Sequence, residues 1–82
     1  MTVIEKLLQK FEDRPEALCY REIEKILFYL GFKKSQGKSS HVKFSHSKCP
    51  QVLIFSVHNR DCKKAYKTTT LKILLQYKFL PL

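Results

Sequence analysis

Glycine and proline are scarce in this 82-residue chain, at two and three residues, and acidic side chains nearly vanish after residue 24. The first shortage excludes collagen-like and low-complexity chains, which are rich in both residues. The second is the stronger signal. Residues 25–82 carry twelve Lys/Arg against one acid, Asp61, a net of +11, whereas residues 1–24 carry four Lys/Arg against six acids, a net of −2. A field that unbalanced attracts polyanions, of which nucleic acid is the commonest, and an acidic protein partner fits it equally. A membrane surface asks for a basic amphipathic helix, and here the cations fall on strand and loop patterns instead. No apolar run reaches the ~20 residues of a membrane span, and Met1-Thr2-Val3-Ile4-Glu5-Lys6 lacks a signal-peptide core, so a soluble cytoplasmic protein is expected. The three cysteines (Cys19, Cys49, Cys62) are odd in number and form no CxxC, which points to free thiols in a reducing compartment. Together with His41, His46 and His58 they show no zinc-knuckle spacing, so neither a metal nor a cofactor is expected.

What the chain does contain is enough for one small domain, residues 1–82, with six Phe and four Tyr to build a core. A domain this size buries about 60–65% of its unfolded surface, which leaves no room for a deep enclosed substrate cavity. Thr2 and Glu5 form a capping-box pair ahead of Ile4, Leu7, Leu8 and Phe11, so a first helix is predicted to end near Asp13, before Pro15. A second helix is predicted from Tyr20 to Leu30 with Ile23, Ile26, Leu27 and Leu30 inward, stopped by Gly31. A short strand over Phe32–Gln36 and a basic turn lead to a strand over His41–His46. A turn at Ser47–Pro50 then precedes an apolar strand over Gln51–His58. Asp61 is positioned to cap a last helix that turns Ala65, Leu71, Leu74 and Leu75 inward. Thr68-Thr69-Thr70 suits a helix poorly, which puts its start near Lys67. The apolar tail Tyr77–Leu82 either lies on the sheet or contacts a partner. The order is α-α-β-β-β-α, and no internal repeat is present.

The organising stretch is Gly37-Lys38-Ser39-Ser40-His41-Val42-Lys43-Phe44-Ser45-His46. Its period-two alternation sends Val42 and Phe44 to the core and leaves His41 on the open side beside Lys43. If this strand and the next pair as an antiparallel hairpin, His41 and His58 arrive at the same end of the sheet, with Lys38, Lys43 and Arg60 near them. Imidazoles titrate near neutrality and can move a proton between two oxygens. RNA brings its own nucleophile, the 2′-hydroxyl, so its cleavage needs a base, an acid and cations to stabilise the transition state. Ser39 and Ser40 lack partners for covalent serine chemistry and suit phosphate contacts, while His46 is either a phosphate contact or a bystander.

Four blocks of this sequence, in this order, resemble the HicA toxins, mRNA interferases of toxin–antitoxin systems. They are Tyr20–Leu27 with Leu30-Gly31-Phe32, then Gly37–Phe44 with His46, then Val52–His58, then Thr70-Leu71 with Ile73-Leu74. The resemblance covers residues 20–75, with 1–13 as a helical extension. It implies an α+β fold like a double-stranded-RNA-binding domain, a three-stranded antiparallel sheet packed on helices. It also implies an endoribonuclease acting on mRNA, with His41 as general acid/base, Ser40 beside it, and His58 assisting. Lys38, Ser39, Ser40, Lys43, His46, Lys63 and Lys64 are then expected at the RNA, and a HicB-like antitoxin is expected to cover the basic face. Two positions depart from the family pattern: Ser39 stands where the family has glycine, and Ser56 where it has proline. Two rival readings use the same residues: a non-catalytic RNA-binding module of this fold, and an interaction protein whose basic face serves an acidic partner alone.

Overall fold

Thr2 starts the first helix as its spacing predicts. In the computed structural model, which describes residues 2–38 and 40–81, the Thr2 hydroxyl accepts the Glu5 N–H at 3.3 Å and the Glu5 carboxylate accepts the Thr2 N–H at 3.4 Å. Two donors of the first turn are thus satisfied reciprocally. Helix α1 (Val3–Asp13) buries Leu8 and Phe11 and stops ahead of a short 3-10 turn, Pro15–Ala17. Helix α2 (Tyr20–Tyr29) buries Tyr20, Ile23, Ile26 and Leu27. At its end Phe32 N–H donates to the Leu27 carbonyl and Gly31 N–H to the Phe28 carbonyl, both at 3.0 Å, with Gly31 at φ 93°. That left-handed stop is open to glycine without a Cβ penalty, and it folds Phe32 back into the core.

Four strands follow: β1 (Lys33–Gln36), β2 (His41–His46), β3 (Cys49–His58) and β4 (Asp61–Cys62), antiparallel throughout and adjacent in chain order. Helix α3 (Lys64–Gln76) closes the chain. Val42 and Phe44 of β2 and Leu53 and Phe55 of β3 face the helices, where they meet Phe11, Ile23, Ile26, Leu27 and Leu74. Phe44 and Phe55 pack edge to face at 5.8 Å; each fully buried aromatic stabilises the fold by roughly 2–3 kcal/mol. The opposite face of the sheet stays open, with Ile54 at 48% and Val52 at 52% exposure. This is the α+β arrangement of the double-stranded-RNA-binding-domain type, with a two-residue fourth strand added to the three expected.

That fourth strand follows β3 through a tight turn. Asn59 and Arg60 both take positive φ, 53° and 67°, and join His58 to its partner Asp61. A two-residue turn of that hand matches the twist of a hairpin. β3 begins earlier than predicted, because Ser47 and Lys48 alone make the turn and Cys49 pairs with His46. Between that pair and Phe44–Leu53, three residues of β3 (Pro50, Gln51, Val52) stand against Ser45 alone. Pro50 sits in this irregular stretch, where its missing N–H breaks no ladder.

The last helix departs furthest from expectation. It starts at Lys64 rather than Lys67, and Lys63 precedes it with no side-chain cap. Its buried positions are Lys67, Thr70 and Leu74, while Ala65 and Leu75 are exposed. Thr68 is accommodated by its hydroxyl donating to the Lys64 and Ala65 carbonyls at 3.3 and 3.2 Å. Asp61 does not cap α3. Its Oδ1 accepts the N–H of Tyr20 at 2.9 Å, at the start of α2, and that of Cys62 at 2.8 Å, and it pairs with Lys67 Nζ at 3.0 Å. The tail folds inward: Leu80 is buried, and the Phe79 ring packs at a tilt against Phe32 and edge to face against His46.

Candidate active site

β2 delivers His41 to the open face as the alternation requires: Val42 and Phe44 are buried, and His41, Lys43 and Ser45 are exposed. The loop before it is tied to the strand by three bonds around the same residue. Gly37 N–H donates to the His41 carbonyl at 2.9 Å, the Gln36 side-chain amide donates to it at 3.3 Å, and His41 N–H donates to the Lys38 carbonyl at 3.1 Å. A Cβ at Gly37 would come within 3.2 Å of both the Cβ and the carbonyl oxygen of His41, so glycine is needed there for close approach.

The His41 ring is oriented by the same carbonyl, with Nδ1 3.2 Å from Lys38 O. A carbonyl oxygen accepts and never donates, so in this contact the ring hydrogen sits on Nδ1. Nε2 of the neutral ring then carries the free lone pair.

His58 lies at the same end of the sheet. His41 is the register partner of Ser56, and Ser56 is two residues from His58 on one face of β3. His58 Nε2 is 3.1 Å from Ser56 Oγ and 3.4 Å from Ser40 Oγ, and the two hydroxyls are 3.5 Å apart. The hairpin therefore brings together Ser40, His41, Ser56 and His58. Ser56 was not among the expected site residues, yet its i, i+2 spacing to His58 in an apolar strand was a usable signal.

The remaining expected residues are dispersed. Lys38 and Lys43 flank His41 and are exposed. Lys63 lines an open groove of about 310 Å3 with Ser56, His58, Asp61, Cys62 and Tyr66; Lys64 is exposed on the first turn of α3. Ser39 lies outside the described residues. His46 is at the far end of β2, half-buried, its ring 5.1 Å from Phe32 and 4.8 Å from Phe79, with Nδ1 accepting the Lys48 N–H at 2.9 Å. Asp61 and Tyr66 were not among the expected site residues, because only the fold brings them into the groove with His58, and Lys67 enters as the ion-pair partner of Asp61.

Charge around the site is arranged by a few groups. Burial works against the charge of Asp61, but the Cys62 N–H, Lys67 and the Tyr20 N–H outweigh it and hold the carboxyl below the usual range. Burial, aided by the Asp61 charge, pushes the Cys62 thiol up to about 11 against the pull of Lys67, so it is a neutral thiol near pH 7 and no ready nucleophile.

With this geometry in hand, the match to known families is specific. The family model described as "HicA toxin of bacterial toxin-antitoxin" matches residues 20–76, more than half of the chain. The chain belongs to the HicA toxin family. Membership makes it a toxin component whose system includes an antitoxin of HicB type. The matched span starts at α2 and ends with α3, so the open face with both histidines lies wholly inside the HicA region and α1 lies outside it. No curated protein and no solved structure matches the chain. No helix among the described residues is long and apolar enough to cross a membrane.

Proposed function

We propose that this HicA-family chain is an endoribonuclease that cuts mRNA and thereby arrests translation in the cytoplasm, with His41 as its principal proton-transfer group. The observation that carries the reading is the Nδ1 contact of His41 to the Lys38 carbonyl, which leaves Nε2 as a base on an exposed strand among lysines. In the proposed step Nε2 takes the proton of an RNA 2′-hydroxyl, and that oxygen attacks the adjacent phosphorus. The P–O5′ bond breaks, and the departing 5′-oxygen collects a proton for which His58 is the candidate donor. The products are a 2′,3′-cyclic phosphate and a 5′-hydroxyl. Lys38, Lys43, Lys63 and Lys64 would hold phosphates and stabilise the extra charge of the transition state, with Ser40 and Ser39 as hydroxyl contacts. His46, engaged by Lys48 and two phenyl rings, has no part in the step. The HicB-type antitoxin would neutralise the toxin by covering this same basic face.

His41→Ala tests the reading. RNA cleavage and growth arrest should fall by at least about 100-fold, while RNA affinity changes little. A wild-type protein that binds RNA without ever cutting it is instead a nucleic-acid-binding module. Absence of RNA binding, or binding indifferent to salt, favours a protein-interaction role.

A further inference from the structure

The groove beside His58 has a wall that a phosphate site should not have. Asp61, the one acid in residues 25–82, lines it together with the half-buried Cys62 and Tyr66. The cation nearest Asp61, Lys67, is 4% exposed and already paired with it, so it offers nothing to an incoming anion. Phosphate would meet a carboxylate and a neutral thiol there. A flat, uncharged heterocycle would meet an aromatic ring instead. Tyr66 packs on Phe55 with ring centroids 6.3 Å apart, which braces the ring from the core side while it lines the groove. Lys63, just before the start of α3, completes the lining with a cation suited to the phosphate of the same nucleotide, and His58 joins the groove to the proposed scissile position. The groove's volume of about 310 Å3 accommodates one base and its sugar rather than a stacked run.

We propose that this groove is a subsite for a single unstacked nucleobase, with Tyr66 as its stacking surface, so that the substrate is single-stranded RNA rather than duplex. The inference rests on the ribonuclease reading above and adds the substrate class. A base paired within an A-form helix cannot enter such a groove, whereas single strands splay bases readily onto aromatic side chains.

Binding to uncleavable 2′-O-methyl RNA tests it without depending on catalysis. Wild-type protein should prefer a single strand to the same sequence as a duplex, and an abasic nucleotide moved along the strand should weaken binding about tenfold at one position. Tyr66→Ala should lose single-strand affinity by a similar factor, leave duplex affinity unchanged, and abolish the penalty at that abasic position; Tyr66→Phe should behave as wild type. The abasic scan on wild-type protein keeps the test open should Tyr66→Ala fold poorly. Equal loss on both substrates, or a scan with no sensitive position, overturns the subsite and leaves the ribonuclease reading standing. Failure to bind any RNA removes both.

Discussion

An alanine at position 37 would place its Cβ 3.2 Å from the Cβ and the carbonyl oxygen of His41, so the loop or the strand must give by a few tenths of an ångström. The residue displaced is His41, the proposed general base. Misplacement of an ångström costs on the order of 100-fold in rate, so Gly37→Ala is expected to lower cleavage about tenfold. RNA affinity and thermal midpoint should stay near wild type; a proportionate loss of binding would mean that Gly37 acts on the substrate instead. Ser56 makes a second case at this scale. Its hydroxyl is 3.1 Å from His58 Nε2, and one such bond is worth about 0.5–1.5 kcal/mol, or roughly 2–10-fold in rate. Ser56→Ala should show that loss in cleavage rate with RNA affinity near wild type. Ser45→Ala, on the same face of the sheet but with no side-chain hydrogen bond to a histidine among the described residues, should show no such loss.

At the scale of elements, the seam where α2, β4 and α3 meet depends on one carboxylate. Asp61 satisfies the first N–H of α2 and compensates a lysine buried in α3. The two partners are unequal, since the Asp61 side chain is 47% exposed and the Lys67 side chain 5%. Removing the exposed partner strands a buried charge, whereas removing the buried one leaves a carboxylate that water can solvate. Asp61→Ala is therefore expected to cost roughly 2 kcal/mol, a value already reduced for the partial exposure of the pair, and Lys67→Met distinctly less. Urea denaturation of the two variants checks the order; Lys67→Met as the worse variant would overturn this account. The same seam marks where the sequence stops being informative. β2 could be read to the residue, because alternation alone decides which side chains face a core. α2 could be read because its apolar stripe, its stop at Gly31 and its returning Phe32 agree. α3 could not, since two of its inward positions are Lys67 and Thr70, and a buried lysine becomes intelligible only once Asp61 has arrived from another element. β4 hid behind Arg60, a residue that seldom takes positive φ. At the site, the two histidines and their shared end of the sheet were legible from the hairpin. The groove with Tyr66 was not, because it is assembled from β3, β4 and α3 together.

For the whole molecule, four perturbed groups predict how stability varies with pH. Glu24 is held low: burial opposes its charge, but hydrogen bonds from Lys34 and Tyr20 outweigh that. Asp61 is held low as described. Carboxyls depressed by folding contribute stability that is complete above their unfolded range near pH 4, and it is lost as pH falls through the folded values. Burial raises Cys62 to about 11 and raises Tyr20 with it. Their contribution is complete below the unfolded thiol value near 8.5 and declines as pH climbs past it. Unfolding free energy should therefore be level from about pH 5 to 8 and fall on both sides. Cys62→Ser should flatten the alkaline fall, and an unchanged slope there would assign it elsewhere.

Net charge makes the last whole-molecule prediction, because the excess of +11 over residues 25–82 acts on any polyanion before a single contact forms. Each phosphate neutralised on a single strand releases bound counterion and contributes about −0.7 to the slope of log affinity against log salt. Lys43 stands beside His41 on the open face, whereas Lys10 stands on α1, in the acidic segment and outside the HicA region. Lys43→Gln should make the slope shallower by about 0.7, and Lys10→Gln should leave it unchanged. Equal effects from the two would mean that RNA senses the charge of the whole particle, and the open face would lose its claim to be the binding surface.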